Sequence, residues 1–279
     1  MYGNLELGVS EKGQGVARAI ANEQALVLLN DDRNYFRAGA NVEVFDKWRL
    51  IHTSGFLDLA ASCVLEPPPG ATDVPTALAR RLNTLGVSTI RFYQPASTSK
   101  ATSSAVPFET IQEIAYLIET KKSNLELPNA DLVVRPLRTD EDDLKVALYE
   151  SRDGSPDGKP SNPKDYVALE RRKIDAGYMQ GFIVEDEGVP AACFGLSVTT
   201  NLVRMKNLLT SGDMRGRGCG HAIVHFAIEH ARQHRKDFVG VFAIEGGGGQ
   251  RLYERCGLTA VARQTEFSAP TSKLLKATH

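Results

Sequence analysis

A glycine-rich turn in the C-terminal half constrains this chain more than any other feature. It follows an apolar segment, opens an amphipathic helical pattern, and reads Arg215-Gly216-Arg217-Gly218-Cys219-Gly220. The first amides of a helix have no internal hydrogen-bond partner and carry partial positive charge, so they bind anions. Glycine lets phosphate oxygens approach where a Cβ would block them. We therefore predict that backbone amides of residues 215–220 hold a phosphate group.

Two familiar phosphate-binding motifs fit this turn poorly. No Lys-Ser or Lys-Thr follows the glycines, which disfavours a P-loop. A predicted run of antiparallel strands precedes the turn, whereas the dinucleotide fingerprint belongs to the first strand-helix unit of a parallel sheet. A nucleotide-binding module stays a rival interpretation. So does a plain helix start with conformational glycines and solvated arginines.

The bulk composition excludes several classes of partner. Lys plus Arg number 33 against 34 Asp plus Glu, which leaves no field to hold nucleic acid or an anionic membrane. The longest apolar runs are strand-sized, well short of the roughly 20 residues that cross a bilayer. The four cysteines are widely spaced without a Cys-x-x-Cys pair, and no apolar signal core opens the chain. We expect a cytoplasmic protein.

The pattern of apolar residues predicts two domains, residues 1–128 and 129–279. In the second, it predicts strands at 132–137, 181–186, 189–198, 202–210, 238–244 and 260–267, and helices at 139–151, 165–176, 218–234 and 250–255. In the first, it predicts helices at 72–85 and 108–118 and strands at 88–93 and 124–127. The shared order of helix, strand, helix, strand suggests an internal repeat of architecture. The fold class is α/β, with a mixed, mostly antiparallel sheet flanked by helices.

Residues 132–268 resemble the GNAT (Gcn-related N-acetyltransferase) family. The family's Arg/Gln-x-x-Gly-x-Gly/Ala motif is matched by Arg215, Gly218 and Gly220. Its second motif, an apolar residue and Tyr followed by Gly-Phe, is matched by residues 252–258, where Leu replaces Phe. The resemblance implies a GNAT acetyltransferase domain at 129–279, with residues 1–128 as a degenerate copy or accessory domain.

The resemblance also implies a cofactor and its ligands. Acetyl-CoA would be the cosubstrate, with its pantetheine arm on the backbone of residues 208–210 and its pyrophosphate on the turn. The cofactor-binding residues would be Leu208, Leu209, Thr210, Arg215, Gly216, Arg217, Gly218, Cys219, Gly220 and His221. Tyr253 lies where the family places a phenol near the sulfur, so it is the predicted general acid; the alternative is a core tyrosine.

The base and the acceptor are less constrained by the sequence. Glu245 follows a predicted strand and is the predicted base, with a solvated loop carboxylate as the alternative. The family's usual Asn before Leu-Tyr is replaced by the glycines 246–249, so no Asn contact is carried over. The histidine pairs at 221/225 and 230/234 lack a carboxylate partner, and we predict no metal site.

The predicted reaction is direct transfer of an acetyl group from acetyl-CoA to a primary amine of a small molecule or peptide. The main rival is a noncatalytic CoA-binding sensor or scaffold that keeps the cradle without turnover. A longer acyl donor stays open, as does a homodimer.

Overall fold

A computed structural model describes residues 11–56, 62–95, 107–126, 131–151 and 162–277. Within these residues the strands are β1 (Asn41–Phe45), β2 (Trp48–His52), β3 (Cys63–Glu66), β4 (Thr89–Pro95), β5 (Glu109–Glu119), β6 (Leu132–Pro136), β7 (Gln180–Asp186), β8 (Val189–Val198), β9 (Leu202–Thr210), β10 (Phe238–Ile244) and β11 (Thr259–Pro270). The helices are α1 (Glu11–Arg37), α2 (Thr76–Leu85), α3 (Asp142–Glu150), α4 (Pro163–Asp175), α5 (Cys219–Gln233), α6 (Gly248–Arg255) and α7 (Thr271–Ala277). Short 3-10 helices span Thr120–Lys122, Thr139–Glu141 and Gly212–Met214.

The described strands form one sheet whose order is nearly symmetric about its centre. The order is β1-β2-β3-β4-β11-β5-β10-β9-β8-β7-β6. On one side, β3 and β4 are parallel and flank helix α2; on the other, β9 and β10 are parallel and flank helix α5. The other pairs are antiparallel. The sheet is mixed and mostly antiparallel, as the sequence predicts, with one parallel pair on each side of its centre. The order of helix, strand, helix, strand predicted for the first half is wrong, because β5 lies where the second helix was predicted and residues 124–126 form no strand.

The two halves exchange their last strands. β5 comes from the N-terminal half, yet it lies between β10 and β11 of the C-terminal half. β11 in turn lies between β4 and β5, both from the N-terminal half. The predicted boundary at 128/129 lies outside the described residues, and the division into two domains stays a prediction.

Helices cover both faces of the sheet. Helices α5 and α6 pack on one face, against side chains that include Ile114, Tyr116 and Val241. Helix α1 packs on the other face, where Leu28 contacts Ala115 and Leu117. Helices α3 and α4 lie on this second face, with Val146 and Val167 packed near Ile183 and Leu209.

One predicted helix is wrong, because residues 108–118 form most of strand β5. Residues 114–117 are buried in alternation on the two faces of the sheet, so they form a continuous apolar run. Such a run in a strand covered on both faces lacks the period of two that identifies a strand. The strand predicted at 124–127 is also wrong for residues 124–126, which are irregular, and residue 127 lies outside the described residues.

The predicted strands of the C-terminal half are confirmed within a few residues. The hairpin between β7 and β8 turns at Glu187 and Gly188, both with positive φ (50° and 80°), as a two-residue type I′ connection requires. Helix α4 begins after Asn162, whose side chain accepts a hydrogen bond from the amide of Asp165. Helix α2 begins at Thr76, four residues after the predicted start, because Pro75 precedes it as the cap.

Candidate functional site

A cleft opens where the parallel strands β9 and β10 separate. They pair only at three positions, Leu202 with Phe238, Val203 with Val239 and Arg204 with Gly240, in the described sheet. Both strands continue, to Thr210 and Ile244 respectively. The backbone of β9 beyond Arg204 therefore borders a gap toward β10.

A β-bulge lies in β9 at this gap. Gly195 pairs with Lys206 and Cys193 with Leu209, so three steps along β9 oppose two along β8. Asn207 lies within the bulge and has a φ of 54°. Its Nδ2 donates a hydrogen bond to the Tyr35 hydroxyl at 2.9 Å. The bulge changes the direction of the strand at the predicted pantetheine-binding residues.

The three predicted pantetheine residues differ in their surroundings. Leu208 packs against the apolar side chains between the sheet and α5. Leu209 is buried on the opposite face of the sheet, which α3 covers. Thr210 is half-buried and pairs with Ala192. All three lie on the stretch of β9 that borders the gap.

The glycine turn has the geometry expected of an anion site. Gly216 and Gly218 have φ of 79° and 93°, a region that L side chains rarely occupy, and Gly218 is the N-cap of α5. The helical hydrogen bonds begin with the Ala222 amide, which donates to the Gly218 carbonyl at 2.9 Å. The amides of Cys219, Gly220 and His221 precede that bond, so they have no carbonyl one turn back within the helix. The turn can therefore present several N–H groups to one anion.

The side chains of the turn play different parts. Arg217 is half-exposed and pairs with buried Asp186 at 3.0 Å (Nε to Oδ2), which ties the turn to the β7–β8 hairpin. Arg215 is exposed. Cys219 is buried, and burial raises the pKa of its thiol. His221 is half-exposed on the first turn of α5, and partial burial lowers the pKa of its imidazole.

Tyr253 is a buried residue of α6 on the same face of the sheet as α5. Its side chain is 4% exposed, and burial raises the pKa of its phenol above the usual value, with the nearby Cys256 adding to the effect. Its ring centroid lies 6.0 Å from that of Tyr116. Tyr253 therefore stays protonated throughout the neutral range.

The glycines 246–249 bring α6 close to β10. Helix α6 begins at Gly248, two residues before the predicted start. A Cβ at Gly249 would lie 3.3 Å from the Tyr253 ring and 3.6 Å from the Ala243 Cβ. Gly246 has φ of 78°, and its amide donates to the Gln250 side chain at 2.7 Å. The glycine run is thus an ordered helix start.

Glu245 lies just beyond the end of β10, at the surface. Its amide donates to the Gln112 carbonyl at 2.9 Å. Its carboxylate pairs with Arg263 at 3.3 Å (Oε1 to Nη2), and both side chains are about half-exposed, at 46% and 54%. This geometry matches the solvated-carboxylate alternative as well as it matches a base.

A buried polar cluster lies beneath α1, and the sequence patterns did not predict it. Asp31 and Asp32 of α1 pair with Arg204 of β9, and Lys206 Nζ lies 2.9 Å from Asp32 Oδ1. Burial raises the pKa of Asp32, but the charges of Lys206 and Arg204 outweigh it and hold that pKa well below its usual range. Two sequence features could have indicated this cluster: the adjacent acids Asp31 and Asp32, and the basic residues Arg204 and Lys206 within the strand predicted at 202–210.

Further members of this cluster come from β5 and β11. Gln264 Nε2 donates to Glu113 Oε2 at 2.7 Å and to Asp32 Oδ2 at 3.3 Å. Burial raises the pKa of Glu113 to about 7, and the charge of Asp32 contributes in the same direction. Glu113 was missed because its segment was predicted to be a helix.

No group of three or more His, Cys, Asp or Glu side chains placed to hold a metal occurs among the described residues. The helices in the described ranges include none long and apolar enough to cross a membrane.

Comparison with known families decides which fold this site belongs to. The model of the Acetyltransferase (GNAT) family matches residues 146–258. This stretch is a GNAT domain. It contains the bulged strand β9, the glycine turn, α5, β10 and α6, so the cleft and the cradle both lie within the GNAT domain. No curated protein matches the chain.

Solved structures share the fold over most of the chain. A functionally unknown conserved protein from Staphylococcus epidermidis is 12% identical with a TM-score of 0.61, covering 83% of this chain and 94% of its own. A GCN5-related N-acetyltransferase from Kribbella flavida is 12% identical with a TM-score of 0.57, covering 91% and 96% respectively. A tandem GNAT protein from the clavulanic acid biosynthesis pathway is 12% identical with a TM-score of 0.53, covering 80% and 78%. At these identities the likeness concerns the fold alone.

Proposed function

We propose that this GNAT protein transfers an acetyl group from acetyl-CoA to a primary amine by direct attack of the amine on the thioester. The observation that carries the proposal is the juxtaposition of the β9–β10 gap with the glycine turn that opens α5. A gap bordered by backbone groups suits an extended pantetheine arm, and free helix amides suit a diphosphate. The family match to residues 146–258 supports the same assignment.

In this proposal the turn binds the cofactor through its main chain. The amides of Cys219, Gly220 and His221 would donate to the pyrophosphate oxygens. Arg215, which is exposed, supplies positive charge beside them, whereas Arg217 is already paired with Asp186. The backbone at Leu208, Leu209 and Thr210 would bind the pantetheine and polarise the acetyl carbonyl.

Two side chains, Tyr253 and Glu245, would carry the proton transfers of the reaction. The attacking amine forms a C–N bond to the acetyl carbon, loses a proton, and the C–S bond breaks. Tyr253 would donate a proton to the departing sulfur, because its phenol is protonated at neutral pH. Glu245 is the base predicted from sequence. The products are an N-acetyl amide and CoA with a free thiol.

An acetylated cysteine intermediate is not part of the proposal. Cys219 and Cys256 are buried, and burial raises the pKa of both thiols, which disfavours the thiolate that a nucleophile requires. The amine and the thioester would therefore react directly.

Two measurements test the proposed function. Titration calorimetry with acetyl-CoA, ATP and NAD tests the cofactor, and we expect heat of binding from acetyl-CoA alone. Release of free thiol from acetyl-CoA is then followed with a panel of primary amines. Tight binding of acetyl-CoA with no thiol release from any amine would favour the sensor, and preference for ATP or NAD would favour the nucleotide-binding module.

A further inference from the structure

Four neighbouring strands place their residues in one row across the middle of the sheet. Pro95, the last residue of β4, pairs with Gln264 of β11; Gln264 pairs with Glu113 of β5; Glu113 pairs with Ile244, the last residue of β10. The parallel pair β9–β10 and its counterpart β3–β4 therefore both end toward Glu113 and Gln264.

Glu113 is the acidic member of this central pair. It lies on the α1 face of the sheet, because its neighbour in sequence Ile114 packs on the α5 face and its partner Gln264 contacts Asp32 of α1. The side chain is half-buried, so it remains accessible from that face. Since Ile244 adjoins it on β10, Glu113 is one strand away from the gap between β9 and β10.

The charges around Glu113 come from four elements. Asp32 of α1 and Glu266 of β11 add negative charge and raise its pKa, whereas Lys206 of β9 lowers it. Tyr93 of β4 is close enough to interact electrostatically with it. The balance, with burial as the largest contribution, leaves the pKa of Glu113 at about 7. A carboxylate with that pKa is both ionised in useful amount and basic enough to accept a proton near neutral pH.

The N-terminal counterpart of the cofactor cleft has lost the features of a phosphate site. β3 and β4 pair only at Leu65 and Phe92 within the described sheet, and β3 ends at Glu66 whereas β4 continues to Pro95. The segment that leads from β3 to α2 contains prolines at 67, 68, 69 and 75. Proline has no amide hydrogen, so this turn cannot offer the row of N–H donors present at 216–221.

A pocket occupies this second cleft instead. It lies between α1 and the N-terminal part of the sheet, and its lining includes Leu29, Phe36, Val64, Glu66, Tyr93 and Gln264. Phe36 and Tyr93 are stacked, with ring centroids 5.5 Å apart. Charged side chains, Asp32, Arg33 and Glu66, also line the pocket, and its Gln264 contacts Glu113 directly. The apolar and aromatic part of the lining suits a carbon skeleton.

We propose that this pocket holds the acceptor, a primary amine on an apolar or aromatic skeleton, and that Glu113 is its general base. This inference rests on the proposed function. As the amine nitrogen bonds to the acetyl carbon, its proton passes to a Glu113 oxygen. The C–S bond breaks, and the sulfur takes the Tyr253 proton. Glu113 then releases its proton to solvent, and Tyr253 regains one from solvent. The N-terminal half would therefore supply both the acceptor site and, through the exchanged strand β5, the base.

The first test compares Glu113→Gln with Glu245→Gln, since Glu245 is the competing base. We expect E113Q to bind acetyl-CoA like the wild type, to lose about 10²-fold or more in kcat, and to lose the rise of kcat with pH around 7. Glu119→Gln, on the same strand but exposed and paired with Lys122, is the matched control and keeps the wild-type profile. An E113Q kcat within threefold of wild type, or loss of the pH rise in E245Q alone, overturns the inference.

A second variant covers the case in which E113Q folds poorly. Gln264→Leu removes the hydrogen bond that favours the ionised carboxylate, so the rise of kcat should move to higher pH. An unmoved profile in Q264L would contradict the role of Glu113.

The pocket is tested separately by Leu29→Trp, which adds bulk at a half-buried lining position. We expect KM for an aromatic amine to rise about tenfold or more with the acetyl-CoA affinity unchanged; Leu26→Trp, on the exposed side of α1, is the control. An unchanged KM for the amine in L29W would overturn the proposal that this pocket binds the acceptor. Failure of the wild type to bind acetyl-CoA would instead overturn the proposed function itself.

Discussion

The rings of Tyr116 and Tyr253 lie 6.0 Å apart, but their hydroxyls have different partners. The Tyr116 hydroxyl donates to Glu254 Oε1 at 2.8 Å. The Tyr253 hydroxyl makes no hydrogen bond to the described part of the protein. Two neighbouring phenols thus differ in their freedom to donate a proton.

This difference predicts different effects of removing each hydroxyl. Tyr253→Phe should lower kcat for thiol release by roughly 10²-fold, because the departing sulfur loses its proton donor, while acetyl-CoA affinity stays near wild type. Tyr116→Phe, the matched control, should keep kcat within a few-fold. Equal kcat in Y253F and wild type would show that another group protonates the sulfur.

The charged cluster beneath α1 predicts a large stability effect from one buried arginine. Arg204→Met leaves the carboxylates of Asp31 and Asp32 short of a partner in a buried site, and should cost about 3–5 kcal/mol of unfolding free energy. Arg263→Met removes an exposed pair and should cost about 1 kcal/mol or less. Urea denaturation measures both, and similar losses for the two variants would mean that the buried pairs contribute little.

Glu113 predicts a pH-dependent stability difference of definite sign. Its pKa is raised from 4.5 to about 7 in the folded chain, so the folded state holds this proton more tightly than the unfolded state. The contribution of this proton to the free energy of unfolding is complete below pH 4.5 and is lost as the pH rises through 7. The glutamine of E113Q cannot ionise. Between pH 4.5 and pH 8, the free energy of unfolding of E113Q should therefore rise relative to that of wild type by on the order of 1–3 kcal/mol.

Urea denaturation of wild type and E113Q at pH 4.5, 6 and 8 measures this gain. Glu119→Gln, at an exposed site, should show the same difference from wild type at all three pH values. A gap between E113Q and wild type that shrinks toward pH 8 would contradict the raised pKa.

The exchange of β5 and β11 predicts that the C-terminal half is not stable alone. A fragment of residues 131–279 lacks β5, so the edges of β10 and β11 that β5 normally joins would be unpaired. We expect this fragment to be largely insoluble, and co-expression with residues 1–130 to restore soluble protein that elutes as one species. A monomeric, cooperatively unfolding fragment would show that the exchanged strand is dispensable.

Local sequence signals predicted the C-terminal half well. The hairpin at Glu187 and Gly188, the strand at 202–210 and the glycine turn are specified by residues close in the chain, and the structure has them where predicted. The bulge in that strand was not predicted. β5 could not be predicted in this way. Its apolar run reflects two helices that cover it from opposite faces, and its partners β10 and β11 lie more than 100 residues away. Because Glu113 belongs to that strand, the sequence did not predict it as a candidate base.

Acetyl-CoA titration of a Gly218 variant tests most directly whether the amides of the glycine turn bind the cofactor diphosphate. Gly218→Val places a β-branched side chain at φ of 93° among the amides that would hold the diphosphate. Gly86→Val, at φ of 75° after α2, imposes comparable strain far from the turn and is the control. Calorimetry should show acetyl-CoA affinity reduced by about tenfold or more in G218V and near wild type in G86V. Wild-type affinity in folded G218V would contradict a diphosphate held by these amides.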